Sequence, residues 1–198
     1  MAQIASHALP SVYLVRHAEK PAGQGPPHGV SVQGIPDPES LTPRGWQRAG
    51  ALVRRFAPPQ DAPRSDGLAT PTHLFASLPG RNIGSSRSLE TLTPLAAALR
   101  LTVDVRFRKD ELAALAEAVR GTDGIVLVAW EHHLIPQLAG LLAGLGDAVP
   151  SVWPDDRYDS IWVFEPDEPG GGLRFRQVAQ LLLDGDRPDP IRFDGTHA

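Results

Sequence analysis

Cysteine is absent from the 198 residues, which excludes disulfide frameworks, zinc ribbons and thiol nucleophiles. Lysine is nearly absent: Lys20 and Lys109 are the only two. With 19 Lys+Arg against 23 Asp+Glu the formal charge is −4, and the arginines are scattered. A nucleic-acid platform needs a concentrated positive stripe, so no nucleic-acid partner is expected. No apolar run approaches the roughly 20 residues of a membrane helix, so no membrane partner is expected. Met1–Pro10 has neither the basic nor the apolar region of a secretion signal, and the expectation is a cytoplasmic chain. Length and an ordinary 41% hydrophobic content predict one globular domain over residues 1–198.

Proline and glycine are plentiful and clustered, in Pro21–Pro38, Pro58–Pro71, Glu165–Gly172 and Gly185–Pro190. These read as surface loops between apolar segments. Ser11–Val15, His73–Ala76, Leu101–Phe107 and Gly124–Ala129 carry the apolar, β-branched character of strands. Thr42 followed by Pro43 opens a helix with Trp46, Ala49, Leu52, Val53 and Phe56 on one stripe. Further helices are predicted from Ser86 or Ser88 to Leu99, over Asp110–Arg120 and over Leu134–Leu145. Pro94 fits the first of these only near its first turn. Tyr158–Glu165 and Leu173–Leu181 suggest a hairpin. The alternation predicts a three-layer α/β/α fold with a mostly parallel sheet, whose ligand site lies beyond the carboxyl ends of the strands.

Two strands end in histidine-bearing segments: Arg16-His17-Ala18-Glu19-Lys20 and Trp130-Glu131-His132-His133. Leu14-Val-Arg16-His17-Ala18, Leu41-Thr-Pro-Arg-Gly45-Trp-Gln-Arg-Ala49, Arg87-Ser-Leu-Glu90-Thr91 and Ile125-Val-Leu-Val-Ala-Trp-Glu-His132 occur in that order. In this the chain resembles the histidine phosphatase superfamily, of phosphoglycerate mutase-like fold. One departure is the distance from Ser77 to Arg87, which makes Leu78–Ser86 look like a loop insertion.

The resemblance implies metal-independent hydrolysis of a phosphomonoester, small or carried by a protein, without a cofactor. Arg16 and Arg87 would clamp the phosphoryl oxygens with planar, permanently charged forks. His17 would be the nucleophile, and His132, protonated near the dianion, would stabilise the transferring group. His132 is favoured over its neighbour as the phosphate-facing ring. Lys20 and His133 are expected to add substrate contacts, at a mouth of net positive charge. The general acid is assigned to Glu111, with Asp110, Glu131 and Glu19 as alternatives. Absence of a Trp-Glu-Gly element argues against mutase activity. A catalytically degenerate phosphate binder and a phosphohistidine protein phosphatase are the competing readings. Acids and histidines lack the clustered spacing of a metal site, and none is expected.

Overall fold

The computed structural model describes residues 9–59, 66–80, 85–144, 149–167 and 172–193. The first strand, β1 (Ser11–Arg16), leads through a loop to α1 (Pro43–Phe56) and β2 (His73–Ala76). Then come α2 (Arg87–Leu99), β3 (Val103–Asp104), α3 (Leu112–Arg120) and β4 (Ile125–Trp130). A 3-10 turn (His132–Leu134) runs into α4 (Ile135–Ala143), and β5 (Ser160–Pro166) and β6 (Leu173–Ala179) follow. The six strands form one sheet in the order β3-β2-β4-β1-β5-β6. The first three pairings in that order are parallel, and β5 and β6 are antiparallel.

The period-2 geometry of a strand sends alternate side chains to opposite faces. Along β1, Val12 and Leu14 join one core with α3 and α4, whereas Tyr13 and Val15 join a second with α1 and α2. Along β4, Val126, Val128 and Trp130 meet the first core, and Leu127 and Ala129 the second. A sheet buried on both faces gives the three layers expected. No helix among the described residues is long and apolar enough to cross a membrane.

Departures from expectation occur in several elements. The Leu101–Phe107 strand shrinks to Val103–Asp104, because Asp104 turns back to accept from the Arg106 backbone N–H at 3.0 Å. Helix α3 begins at Leu112, with Asp110 and Glu111 in the preceding turn. Pro94 lies well past the first turn of α2, yet the helix continues to Leu99. The Leu145 helix end, the Gly-rich part of the β5–β6 connection and the middle of Leu78–Ser86 lie outside the described residues.

Candidate active site

Strands β1 and β4 run side by side with Arg16 opposite Trp130, so they end at the same edge. The His17 N–H donates to the Trp130 carbonyl at 2.9 Å and fixes the exit of one strand on the other. The rings of His17 and His132 consequently lie 6.4 Å apart, nearly perpendicular. Beside them opens a cavity of about 1010 Å³, whose wall includes His17, Lys20, Ser77, Arg87, Lys109 and Glu131.

The loop after β1 is held by α1 and α2. Thr42 caps α1, its hydroxyl accepting from the Gly45 N–H at 3.2 Å and donating to the Glu19 carbonyl at 3.1 Å. Gly45 is required for that approach: a Cβ there would lie 2.5 Å from the Glu19 carbonyl oxygen. From α2, Thr91 accepts from the Ala18 N–H at 2.8 Å and donates to the Arg87 carbonyl at 2.7 Å. Glu90 accepts from the Ser40 hydroxyl at 2.7 Å and the Leu41 N–H at 2.9 Å. The Leu-Thr-x-x-Gly and Arg-x-x-Glu-Thr segments are thus fasteners for the loop after β1.

His17 is buried, and its Nδ1 lies 2.8 Å from the Ala18 carbonyl. A carbonyl only accepts, so Nδ1 carries the proton and Nε2 keeps its lone pair. Burial pushes the His17 pKa down, to about 3; the Ala18 bond opposes this, and the charges of Arg16, Arg87 and His132 add to it.

Arg16, fully buried, donates through Nη1 to the carbonyls of Pro154, Asp155 and Arg157 at 3.3, 2.6 and 3.2 Å. Its Nη2 donates to the Tyr158 hydroxyl at 2.9 Å. Arg87 opens α2 and donates to the Pro38 carbonyl at 2.6 Å. His132 is buried, and its Nε2 pairs with the Asp155 carboxylate. Each of these three side chains retains one buried nitrogen with no protein partner: Arg16 Nε, Arg87 Nε and His132 Nδ1.

The fold therefore brings Arg16, His17, Arg87 and His132 together, and Lys20 joins the cavity wall. Both ends of the lengthened segment, Ser77 and Ser85–Ser88, reach that wall, so the added residues do not displace Arg87. Four expectations change. Glu111 is not on the wall; its carboxylate folds back to accept from the Arg108 N–H at 2.8 Å. Glu131 is on the wall, paired with Lys109 at 3.4 Å. The His133 ring lies 3.8 Å from the His132 ring, tilted by 38°, and its side chain is 62% exposed, because successive residues of a 3-10 turn point about 120° apart. The mouth is not net positive, since Lys20, Arg87 and Lys109 face Asp37, Glu39 and Glu131. Burial also lowers the His132 pKa, with Asp155 opposing, so the ligand-free ring tends toward neutral.

Asp155 and Tyr158 are functional candidates that strand-end reasoning misses. They precede β5, which runs antiparallel to β1, so the start of β5 lies at the edge where β1 ends. The signal was the Asp155-Asp-Arg-Tyr158 run leading into a hairpin strand. The same loop corrects the expectation about metal-ligand clustering: donor atoms of His132, His133 and Asp155 lie within 4.8 Å of one another.

No family model matches the chain, and no curated protein matches it in sequence. Its structure is similar to that of a mycobacterial glucosyl-3-phosphoglycerate phosphatase complexed with VO3, with a TM-score of 0.50 at 14% identity over 85% of this chain and 97% of that one. The chain has the phosphoglycerate mutase-like fold. A mycobacterial hydrolase also aligns, at a TM-score of 0.46 and 14% identity, over 86% of this chain and 89% of that one.

Proposed function

We propose that the protein hydrolyses phosphomonoesters through a phosphohistidine formed on His17. The observation that carries this reading is that Arg16, Arg87 and His132, whose charges all act on the His17 imidazole, each keep a buried nitrogen without a protein partner, while the His17 Nδ1 bond leaves Nε2 with its lone pair. The two arginine Nε–H groups are buried donors without partners, which is costly, and a phosphoryl dianion is a ligand that satisfies both at once. That a phosphatase shares the fold supports the reading.

The steps follow from the positions. Nε2 of His17 attacks phosphorus in line while the P–O ester bond breaks. Arg16 and Arg87 hold the equatorial oxygens, and His132, steadied by Asp155, stabilises their charge. Glu131, on the wall and next in sequence to His132, protonates the departing alkoxide. Water, passing a proton to the Glu131 carboxylate, then attacks phosphorus as the P–N bond breaks, releasing inorganic phosphate, freeing His17 and restoring the acid. The cavity, walled on one side by Pro36–Glu39, suits a small phosphomonoester better than a protein surface.

The deciding experiment is a phosphomonoester screen with the intact chain and with His17→Ala. Turnover that persists in chelator, an acid-labile phosphoenzyme, and loss of both in the variant are expected. Substrate binding without turnover in the intact chain would overturn the reading in favour of a phosphate binder.

A further inference from the structure

We infer that His132, His133 and Asp155 form a binding site for one zinc-class divalent ion at the sheet edge where β4 ends and β5 begins. Three donors of the kinds zinc prefers, two imidazole nitrogens and a carboxylate oxygen, lie within 4.8 Å of one another. The Asp155 Oδ1 that meets His132 Nε2 is also 3.6 Å from His133 Nε2. Tetrahedral zinc with bonds of about 2.0–2.1 Å spaces its donors roughly 3.3 Å apart, which is the scale of this cluster. Asp155 needs only to draw back slightly from His132 for an ion to take their place of contact.

The site is anchored on one side and open on the other. His132 is buried, whereas the side chains of His133 and Asp155 are 62% and 78% exposed, which supplies both an entry path and freedom to adjust. The backbone beneath Asp155 is held independently, because Arg16 Nη1 donates to its carbonyl at 2.6 Å. Three protein ligands leave one position for water, the arrangement of an accessible rather than a closed zinc site. The ion would bind Nε2 of the ring whose unpartnered Nδ1 belongs to the proposed phosphoryl site, so the two sites share one side chain.

Binding is tested without substrate, so the result is independent of the phosphatase reading. The chelator-treated full chain is titrated with zinc chloride against a chromogenic chelator, and with cobalt chloride followed by visible absorption. One ion per chain is expected, with a four-coordinate cobalt spectrum. His133→Ala and Asp155→Asn, both at exposed side chains, should each weaken binding at least about tenfold, a loss that even an outer-shell partner brings. His28→Ala and His73→Ala should leave it unchanged. No binding by the intact chain, or binding that His133→Ala and Asp155→Asn both retain, overturns the assignment.

Discussion

His17 donates its Nδ1–H to the Ala18 carbonyl 2.8 Å away, and that bond selects the tautomer with a bare Nε2. The same burial that orders the ring makes its protonation costly.

A pH dependence of stability follows. The folded pKa of His17 is depressed to about 3, while in an unfolded chain a histidine titrates near 6.5. Above the unfolded value the ring costs nothing. As pH falls below it, the unfolded chain takes a proton that the folded one refuses, and stability is lost down to the folded value. Between about pH 8 and about pH 5 the loss from this ring is about 2 kcal/mol. His17→Ala should therefore lose about 2 kcal/mol less than the intact chain over that interval, measured by urea denaturation at each pH. Identical losses would show that the ring is not buried neutral.

Two glycines on α1 should respond with opposite sign. Gly45→Ala drives a methyl to within 2.5 Å of the Glu19 carbonyl, a backbone atom that cannot yield cheaply. The crowding should cost about 1–3 kcal/mol and outweigh the gain of up to about 1 kcal/mol in helix propensity. Gly50 has no atom within 4 Å of the same methyl, so Gly50→Ala should stabilise. Thermal melts of the two variants separate close approach from propensity; a stabilised Gly45→Ala would mean that α1 does not press on the loop after β1.

These contacts mark how far the sequence was legible. Strong, doubly buried strands such as Ile125–Trp130 announce themselves by composition, and parallel neighbours that end together put His17 and His132 side by side. Arg87 was legible from its Arg-x-x-Glu-Thr context, although the reason, Thr91 bridging α2 to Ala18, needs coordinates. Asp155 was not legible, because its position depends on β5 running antiparallel to β1. Glu111 sits away from the cavity wall for a local reason: a carboxylate in the turn before a helix finds its nearest donor in its own turn.

Arg48 is expected to be the most sensitive polar position. Buried in α1, it donates to Glu19 at 2.9–3.1 Å, to Asp186 at 2.7 and 3.1 Å and to Gln180 at 3.0 Å. Arg48→Met leaves the buried Asp186 carboxylate without its ion-pair partner and Glu19 with only the half-exposed Arg44 at 3.4 Å, and should cost about 3–5 kcal/mol. Burial alone would raise the Asp186 pKa, but the bonds from Arg48, Leu183 and Leu182 hold it below the ordinary carboxylate value. Its contribution is present above the unfolded value of about 3.9 and is lost as pH falls through the lower folded one. Asp186→Asn should accordingly flatten the acid limb of the stability curve below about pH 4; an unchanged limb would show that Asp186 does not carry this linkage.

The proton given to the leaving group offers the sharpest test of the catalytic assignment. Glu131 lies on the cavity wall beside His132, whereas Glu111 is bound to its own turn. A phenolate of low pKa departs without a proton and an alkoxide does not, so losing the acid should penalise alkyl phosphates selectively. General-acid assistance is worth about 10²–10⁴-fold, and Glu131→Gln should slow alkyl phosphate hydrolysis within that range while barely changing aryl phosphate hydrolysis. Glu111→Gln should change neither rate. Steady-state kcat for one alkyl and one aryl ester in the three chains is sufficient. Equal slowing of both esters by Glu131→Gln would assign it to holding Lys109 and the cavity wall, and selective slowing by Glu111→Gln would return the acid to the turn before α3.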